Sequence, residues 1–409
     1  MKRRDIILVV FIALLGIIAL FLRTEKLGYT HPVFTHNWDH HFYIQMAVGN
    51  LFEPGAAPFG WRVLNPLLAK LLPFDLKTNF TLLSFTALWM TAVVTYFMLR
   101  TIGFSDELAL TGMLFFISLG WATRFNIFDF WLTDPLSFLF VVASIWSIFA
   151  HKDLLFMILL VVGVAAKENV IFVAPLYYTI NSSAIWDIQA LRRSIFLVAP
   201  AVLLLLGIRA FIPVVNSEYS AISLLQDIGL QRIRDFSLDS LFSYTIGTFG
   251  VSLPILPLFS IKKNIALFFR FLPFIALTYF SLLFALNTER VLVSAFPAII
   301  IMALYGARAI AEKSGLNERV FVPLPFLLII LLLIEENWYV VAVTYEALLI
   351  LLLLIFSLLS RYTLVVSQSK NAFMTSPELA RSPRKPRRDG EKVKDSVATN
   401  CQDSPLDDQ

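Results

Sequence analysis

Asp39 stands in Trp38-Asp39-His40-His41-Phe42-Tyr43, a polar stretch in a chain that is otherwise largely apolar. A carboxylate in such a setting can take a proton from a nucleophile, provided it is held within hydrogen-bond reach of the reacting atom. Asp39 is followed by the aromatic-rich Phe42-Tyr43-Ile44 and a helical-looking Gln45-Met46-Ala47, and Asp ahead of a helical run is a favoured N-cap, so capping competes with chemistry for this residue. Further on, Pro58-Phe59-Gly60-Trp61-Arg62 sets one guanidinium between aromatic and proline-bounded apolar residues. A charge near lipid is costly unless paired or hydrated, and the planar guanidinium fork fits phosphate or carboxylate oxygens; an anchor reaching toward water is the alternative.

Five more charged groups recur at the ends of apolar runs. Asp129 lies in Phe128-Asp129-Phe130, and Asp134 precedes Pro135 in the manner of a residue opening a helix. Lys167-Glu168 interrupts two short apolar stretches, either as an ion pair that satisfies itself or as a lysine reaching a phosphate with Glu168 orienting it. Gln231-Arg232-Ile233-Arg234-Asp235 and Asn287-Thr288-Glu289-Arg290 follow, with solvated loop charges as their plain reading. Together these residues offer one base and several cations, the equipment for an anionic substrate linked to lipid.

The elements that must position them are membrane helices. With 409 residues, 58% of them hydrophobic, 15% charged and a mean hydropathy of +0.76, the chain cannot cover itself with polar surface in water. The formal charge of +4 and pI near 9.0 come largely from short loops and the tail, as the positive-inside bias expects, which argues against nucleic acid as a partner. Cys401 is the single cysteine, so no intrachain disulfide forms. Lys2-Arg3-Arg4 and the apolar run Ile6 to Leu22 predict an uncleaved first helix with its N-terminus in the cytoplasm, because no small-residue cleavage site follows.

Further apolar runs occupy Leu82 to Met98, Leu108 to Leu119, Pro135 to Ala150, Leu154 to Ala166, Val170 to Ile180 and Ile195 to Ile212. Others occupy Leu241 to Ile261, Ile265 to Leu286, Val291 to Ala307, Val320 to Ile334 and Tyr339 to Leu359, giving about twelve spans. Leu154 to Ala166 and Val170 to Ile180 fall short of the roughly 20 residues of a full crossing and are expected as half-helices meeting inside protein. Alternation then puts Arg100, His151-Lys152, Arg192-Arg193, Lys262-Lys263 and the stretch Arg308 to Arg319 on the cytoplasmic side. The first loop with its interfacial helices, Asp129, Asp134, Lys167-Glu168, Arg232, Arg234 and Glu289-Arg290 all fall outside.

The domain expectation is one multi-pass catalytic domain over 1–362 and a disordered cytoplasmic tail over 363–409, rich in Ser, Pro and mixed charge. No internal repeat is evident. The sequons at Asn79 and Asn181 are weak, the first abutting a helix and the second falling on the cytoplasmic side.

In the order of these motifs the chain resembles the multi-pass membrane glycosyltransferases of the GT-C fold, such as protein O-mannosyltransferases and lipid A aminoarabinose transferases. The resemblance rests on Asp39 with Tyr43, on Pro58-Phe59 to Arg62 and Pro66, and on Thr133-Asp134-Pro135-Leu136. It continues through Ala166-Lys167-Glu168 with Pro175 and Glu289-Arg290-Val291-Leu292 with Phe296-Pro297, spanning roughly the first three hundred residues. It implies an all-α polytopic fold and transfer of a sugar from a polyprenyl-phosphate donor to a lipid, glycan or protein acceptor on the outer face. Asp39 would be the general base, Arg290, Lys167 and Arg62 would hold the donor phosphate, and Glu168, Asp129, Asp134, Tyr43, Glu289, Arg232 and Arg234 would support them. A bacterial inner membrane, with both termini cytoplasmic and the site facing outward in the cell envelope, is the implied location.

The chain departs from the family pattern in having His40 and His41 where many members carry a second acid, and in lacking a large C-terminal soluble domain. His40 and His41 with Asp39 could in principle bind a divalent metal, but adjacent side chains in an extended loop diverge, so a metal is the lesser reading and no cofactor is expected. The competing class is a secondary transporter or flippase for a lipid-linked or anionic substrate, using the two short runs around Lys167 and Glu168 as broken helices. A scaffold protein is the third option and would leave the outer charges unexplained.

Overall fold

The computed structural model describes residues 3–36, 38–52, 57–184, 186–212, 225–235, 237–285 and 287–334. The expected span Tyr339 to Leu359, the tail and Asn37 lie outside the described residues. All regular structure among the described residues is helical, with no strand.

The chain begins with α1 (Arg3–Arg23), then crosses a long connection that holds a 3₁₀ turn at Pro32–Thr35, α2 (Asp39–Val48), a second 3₁₀ turn at Phe59–Trp61 and α3 (Leu64–Leu71). These are the helices expected in the first loop. The long α4 (Leu76–Ile102) starts where Asp75 accepts a hydrogen bond from the Thr78 N–H at 3.1 Å, the usual service of an aspartate N-cap. It stops at Gly103, whose φ of +101° is open to glycine and strained for other residues. Then come α5 (Asp106–Ser118), α6 (Arg124–Phe128), α7 (Asp134–Phe149), α8 (Asp153–Ala166), a 3₁₀ segment at Glu168–Val173, α9 (Ala174–Asn181) and α10 (Ile188–Phe211). The remaining major helices are Leu238–Phe249, Ile261–Phe280, Phe296–Ser314 and Pro323–Ile334.

Among the described residues five helical stretches are long and apolar enough to cross a membrane: 4–23, 76–102, 188–211, 261–284 and 288–314. A sixth results if Leu238–Phe249 and Ser252–Phe259, bent by 116°, form one span. α7 and α8 are apolar but shorter. Burial sorts the five. The 288–314 window is 89% buried and sits at the centre, whereas 188–211 is only 17% buried and exposes Leu203, Leu206 and Phe211. Apolar faces left open in this way match a lipid surround.

α4 packs along α7, α5 and α1, and α8 packs against α7 and α10. Close approach is secured at Gly306, where an added Cβ would lie 1.8 Å from the Leu256 carbonyl oxygen. Asn79 is not a surface sequon: it is buried, and its Nδ2 donates to the carbonyls of Ala69, Leu72 and Phe74, tying α4 to the end of α3. Asn181 likewise spends its amide on the Tyr177 carbonyl.

Chain direction separates the charges. Arg100–Asp106, Arg319–Glu107, Arg193–Asp153, Lys263–Glu312 and Arg308–Glu318 are ion pairs at one end of the antiparallel helices. The starts of α2 and α7, the ends of α8 and α10, and the 288–292 turn meet at the other end, where Asp39, Asp134, Lys167, Arg209 and Arg290 gather. Helices that run straight across the molecule convert alternation along the sequence into this segregation.

Candidate functional site

Asp39 is the first residue of α2, yet it does not cap it. Trp38 occupies the N-cap position without a side-chain hydrogen bond, and the Asp39 carboxylate instead accepts from Arg290 Nη1, with Oδ2 at 2.5 Å. Asp39 Oδ1 has no hydrogen-bond partner among the described residues, and the side chain keeps 25% of its surface open.

Asp134 likewise opens α7 without serving as its cap. Its carboxylate is fully buried. Oδ2 accepts from Arg290 Nη2 at 2.7 Å and Nε at 3.2 Å, and Oδ1 accepts from Lys167 Nζ at 2.5 Å. Three fixed donors offset the cost of burying the charge, and the first turn of α7 adds a favourable dipole. Arg290 therefore uses one edge on Asp134 and its remaining terminal nitrogen on Asp39.

Lys167 and Glu168 do not pair with each other. α8 ends at Lys167, whose φ and ψ of −161° and 136° are those of an extended strand residue, and the chain re-enters helical geometry at Glu168. That one extended residue sends the two side chains to different partners. Glu168 accepts from Arg62 side-on, Nη2 to Oε1 at 2.5 Å and Nε to Oε2 at 2.9 Å, while Arg62 Nη1 donates to the Tyr43 hydroxyl at 2.9 Å. Arg62 is thus a buried ion-pair partner, and the anchor role is corrected. Burial works against the Glu168 carboxylate, but the Arg62 guanidinium prevails and holds it down at about 2. Burial pushes the Tyr43 phenol up to about 12 against the pull of Arg62, so it stays protonated.

Asp129 is buried between α6 and α7, and its Oδ1 has no hydrogen-bond partner among the described residues. Burial pushes this carboxyl up to about 7; Arg290 opposes the shift, and the charges of Asp39 and Asp134 add to it. His40 is also buried, with Nε2 3.0 Å from the Phe34 carbonyl oxygen and its ring against Phe34 and His41. Desolvation lowers its pKa. Among the described residues no cluster of three or more His, Cys, Asp or Glu is placed to hold a metal ion.

A cavity of about 490 Å³ opens beside this network, a volume in the range of small-molecule sites. Its lining includes the charged residues Asp39, Arg62, Lys167, Glu168, Arg209 and Arg290 and the apolar residues Phe172, Leu205, Phe284 and Val291. Such a lining suits an amphiphile with a polar head. Asp134 and Tyr43 support the lining from behind without reaching it, and Asp129 does not line the cavity.

Glu289, Arg232 and Arg234 do not line the cavity. Glu289 accepts from its neighbour Thr288, Arg232 donates to the Leu282 carbonyl, and Arg234 is exposed. Short-range sequence position next to Arg290 is no guide here, because successive helical residues point different ways.

Sequence reasoning gave no site role to several lining residues, among them Arg209, Trp61 and Asn169. Asn169 donates to the Ser294 hydroxyl at 2.9 Å, joining the α8 break to the 288–314 segment. Arg209 carried a usable signal, since a lone cation inside the apolar run Ile195 to Ile212 is costly unless it has a task.

Comparison of the chain with family models and with curated proteins finds no match to either.

Proposed function

We propose that this protein is a membrane glycosyltransferase that moves a sugar from a polyprenyl-phosphate donor to an acceptor on the extracytoplasmic face. The observation that carries the reading is Asp39: a carboxylate at the edge of an amphiphile-sized cavity, fixed through one oxygen by Arg290 with its other oxygen unpartnered. The acceptor hydroxyl gives its proton to Asp39 Oδ1 as its oxygen bonds to the anomeric carbon. The bond from that carbon to the donor phosphate breaks, and its electron pair leaves on the phosphate, inverting the configuration. Catalysis rests on positioning and proton transfer.

Arg290, Lys167 and Arg62 take a different part from the one their types alone suggest. Each lines the cavity, but each is matched to a carboxylate, Arg290 to Asp39 and Asp134, Lys167 to Asp134, Arg62 to Glu168. In this proposal they balance the charge of the acids and hold them in place. The GT-C fold with about twelve spans, the cytoplasmic termini and the bacterial inner membrane belong to the same proposal.

A transporter or flippase is the second reading, supported by the break at Lys167 between α8 and α9. It is less well supported, because the charged groups cluster at helix ends rather than midway along a path. The deciding experiment is sugar release from a radiolabelled panel of polyprenyl-phosphate sugars, with candidate acceptors, by the purified chain in membranes. Turnover by the wild type that is lost in a folded Asp39→Asn variant supports the transferase. Equal turnover in both removes Asp39 as the base, and no turnover with any donor favours the transporter.

A further inference from the structure

Arg209 lies in the last turn of α10 and lines the same cavity from that helix. It stands apart from the other lining cations. Its contact among the described residues is the face of Trp61, with the guanidinium carbon 4.8 Å from the ring centroid, and it makes no ion pair there. Trp61 is itself fixed, its Nε1 donating to the Ile212 carbonyl at 3.2 Å. Stacking engages the face of a guanidinium and leaves the N–H donors around its edge free for an oxyanion. Arg62, Lys167 and Arg290 are each matched in charge by a carboxylate, three cations to Asp39, Asp134 and Glu168, so together they present no net positive charge to an incoming anion.

The direction of the proposed reaction adds a second argument. An inverting displacement puts the base and the leaving group on opposite faces of the anomeric carbon, and Arg290 touches the base directly, 2.5 Å from Asp39 Oδ2. A phosphate on Arg290 would sit on the side of the base. A cation on a different helix with no bond to Asp39 meets the requirement.

We infer that Arg209, braced on Trp61, is the residue that grips the phosphate of an amphiphilic ligand whose chain lies against the apolar lining residues of the cavity. The leaving-group role within this inference rests on the transferase reading; the recognition of phosphate does not.

The test is binding by the purified full-length chain in detergent, using farnesyl phosphate, farnesol, phosphatidic acid and inorganic phosphate as probes. The wild type should prefer farnesyl phosphate to farnesol, and Arg209→Ala should weaken farnesyl phosphate on the order of tenfold or more while leaving farnesol unchanged. Arg209→Lys should recover part of that loss, and Trp61→Ala should cause a smaller loss of the same kind. Since Arg209 is exposed, its variants should keep the wild-type melting temperature. Competition by phosphatidic acid or by inorganic phosphate also supports the inference, and tells a lipid headgroup from a free ion. Equal affinity of Arg209→Ala and wild type, equal affinity for phosphate and alcohol, or no binding of any probe overturns it. Arg209-dependent binding without sugar release from any donor would leave the grip standing and remove the transferase.

Discussion

Lys167 Nζ lies 2.5 Å from Asp134 Oδ1, joining the end of α8 to the start of α7, while Lys167 turns away from the acid next to it in sequence. The pair is buried on both sides, and Arg290 closes it from the 288–314 segment. Breaking such a pair by removing one partner leaves an uncompensated charge. Asp134→Ala should therefore cost about 3–5 kcal/mol and lower the melting temperature in detergent. Adding Lys167→Met should recover part of that loss, because the orphaned amine goes with it. A double variant as unstable as the sum of the two single ones would mean that the pair is not coupled.

Asp39→Asn should fold normally, because its amide oxygen can still accept from Arg290 Nη1. Turnover with a polyprenyl-phosphate sugar should fall by about 10²–10⁴-fold. A drop in melting temperature matching the drop in turnover would instead place Asp39 in the framework and not in the chemistry.

Asp129 makes stability depend on pH in a direction opposite to that of a salt-bridged acid. Its folded-state pKa of about 7 lies above the ordinary carboxyl value, so the folded chain holds the proton more tightly than the unfolded one. Its contribution is most favourable below about pH 4 and declines as pH rises toward 7, at about 1.4 kcal/mol per pH unit. Arg290, Asp39 and Asp134 are the charged groups acting on it. Melting temperatures at pH 5 and pH 8 should show Asp129→Asn gaining on wild type at the higher pH. An offset that is the same at both would count against the buried-acid account.

Two glycines should answer differently to alanine. At Gly306 the new Cβ would meet the carbonyl oxygen and carbon of Leu256 at 1.8 and 2.4 Å, and backbone cannot swing aside as a side chain can. The helix Phe296–Ser314 must then move, at a cost of about 1–3 kcal/mol or more. At Gly103 nothing lies within 4 Å, so Gly103→Ala should cost only the strain of a positive φ, about 1 kcal/mol. Melting curves that rank the two in reverse order would refute the close-packing argument.

Composition alone pointed to a helical chain with apolar spans suited to lipid, because so large a share of apolar residues leaves too little polar surface to cover it. The order of apolar runs located most helices, and their alternation sorted Arg100, Arg193, Lys263 and Arg308 to one end and Asp39, Lys167 and Arg290 to the other. Helix periodicity and span length are local properties, so a linear sequence records them. Partnership is not local. Asp39 and Arg290 stand 251 residues apart, and only the packing of the 288–314 segment beside α2 and α7 brings them within hydrogen-bond distance. The same packing took Asp39 and Asp134 from the capping role to ion pairing, sent Lys167 and Glu168 to separate partners, left Arg232 and Arg234 off the cavity, and brought Arg209 onto it. Whether a charge is paired or free depends on what burial leaves within about 4 Å of it, and that is settled by tertiary contacts between distant segments.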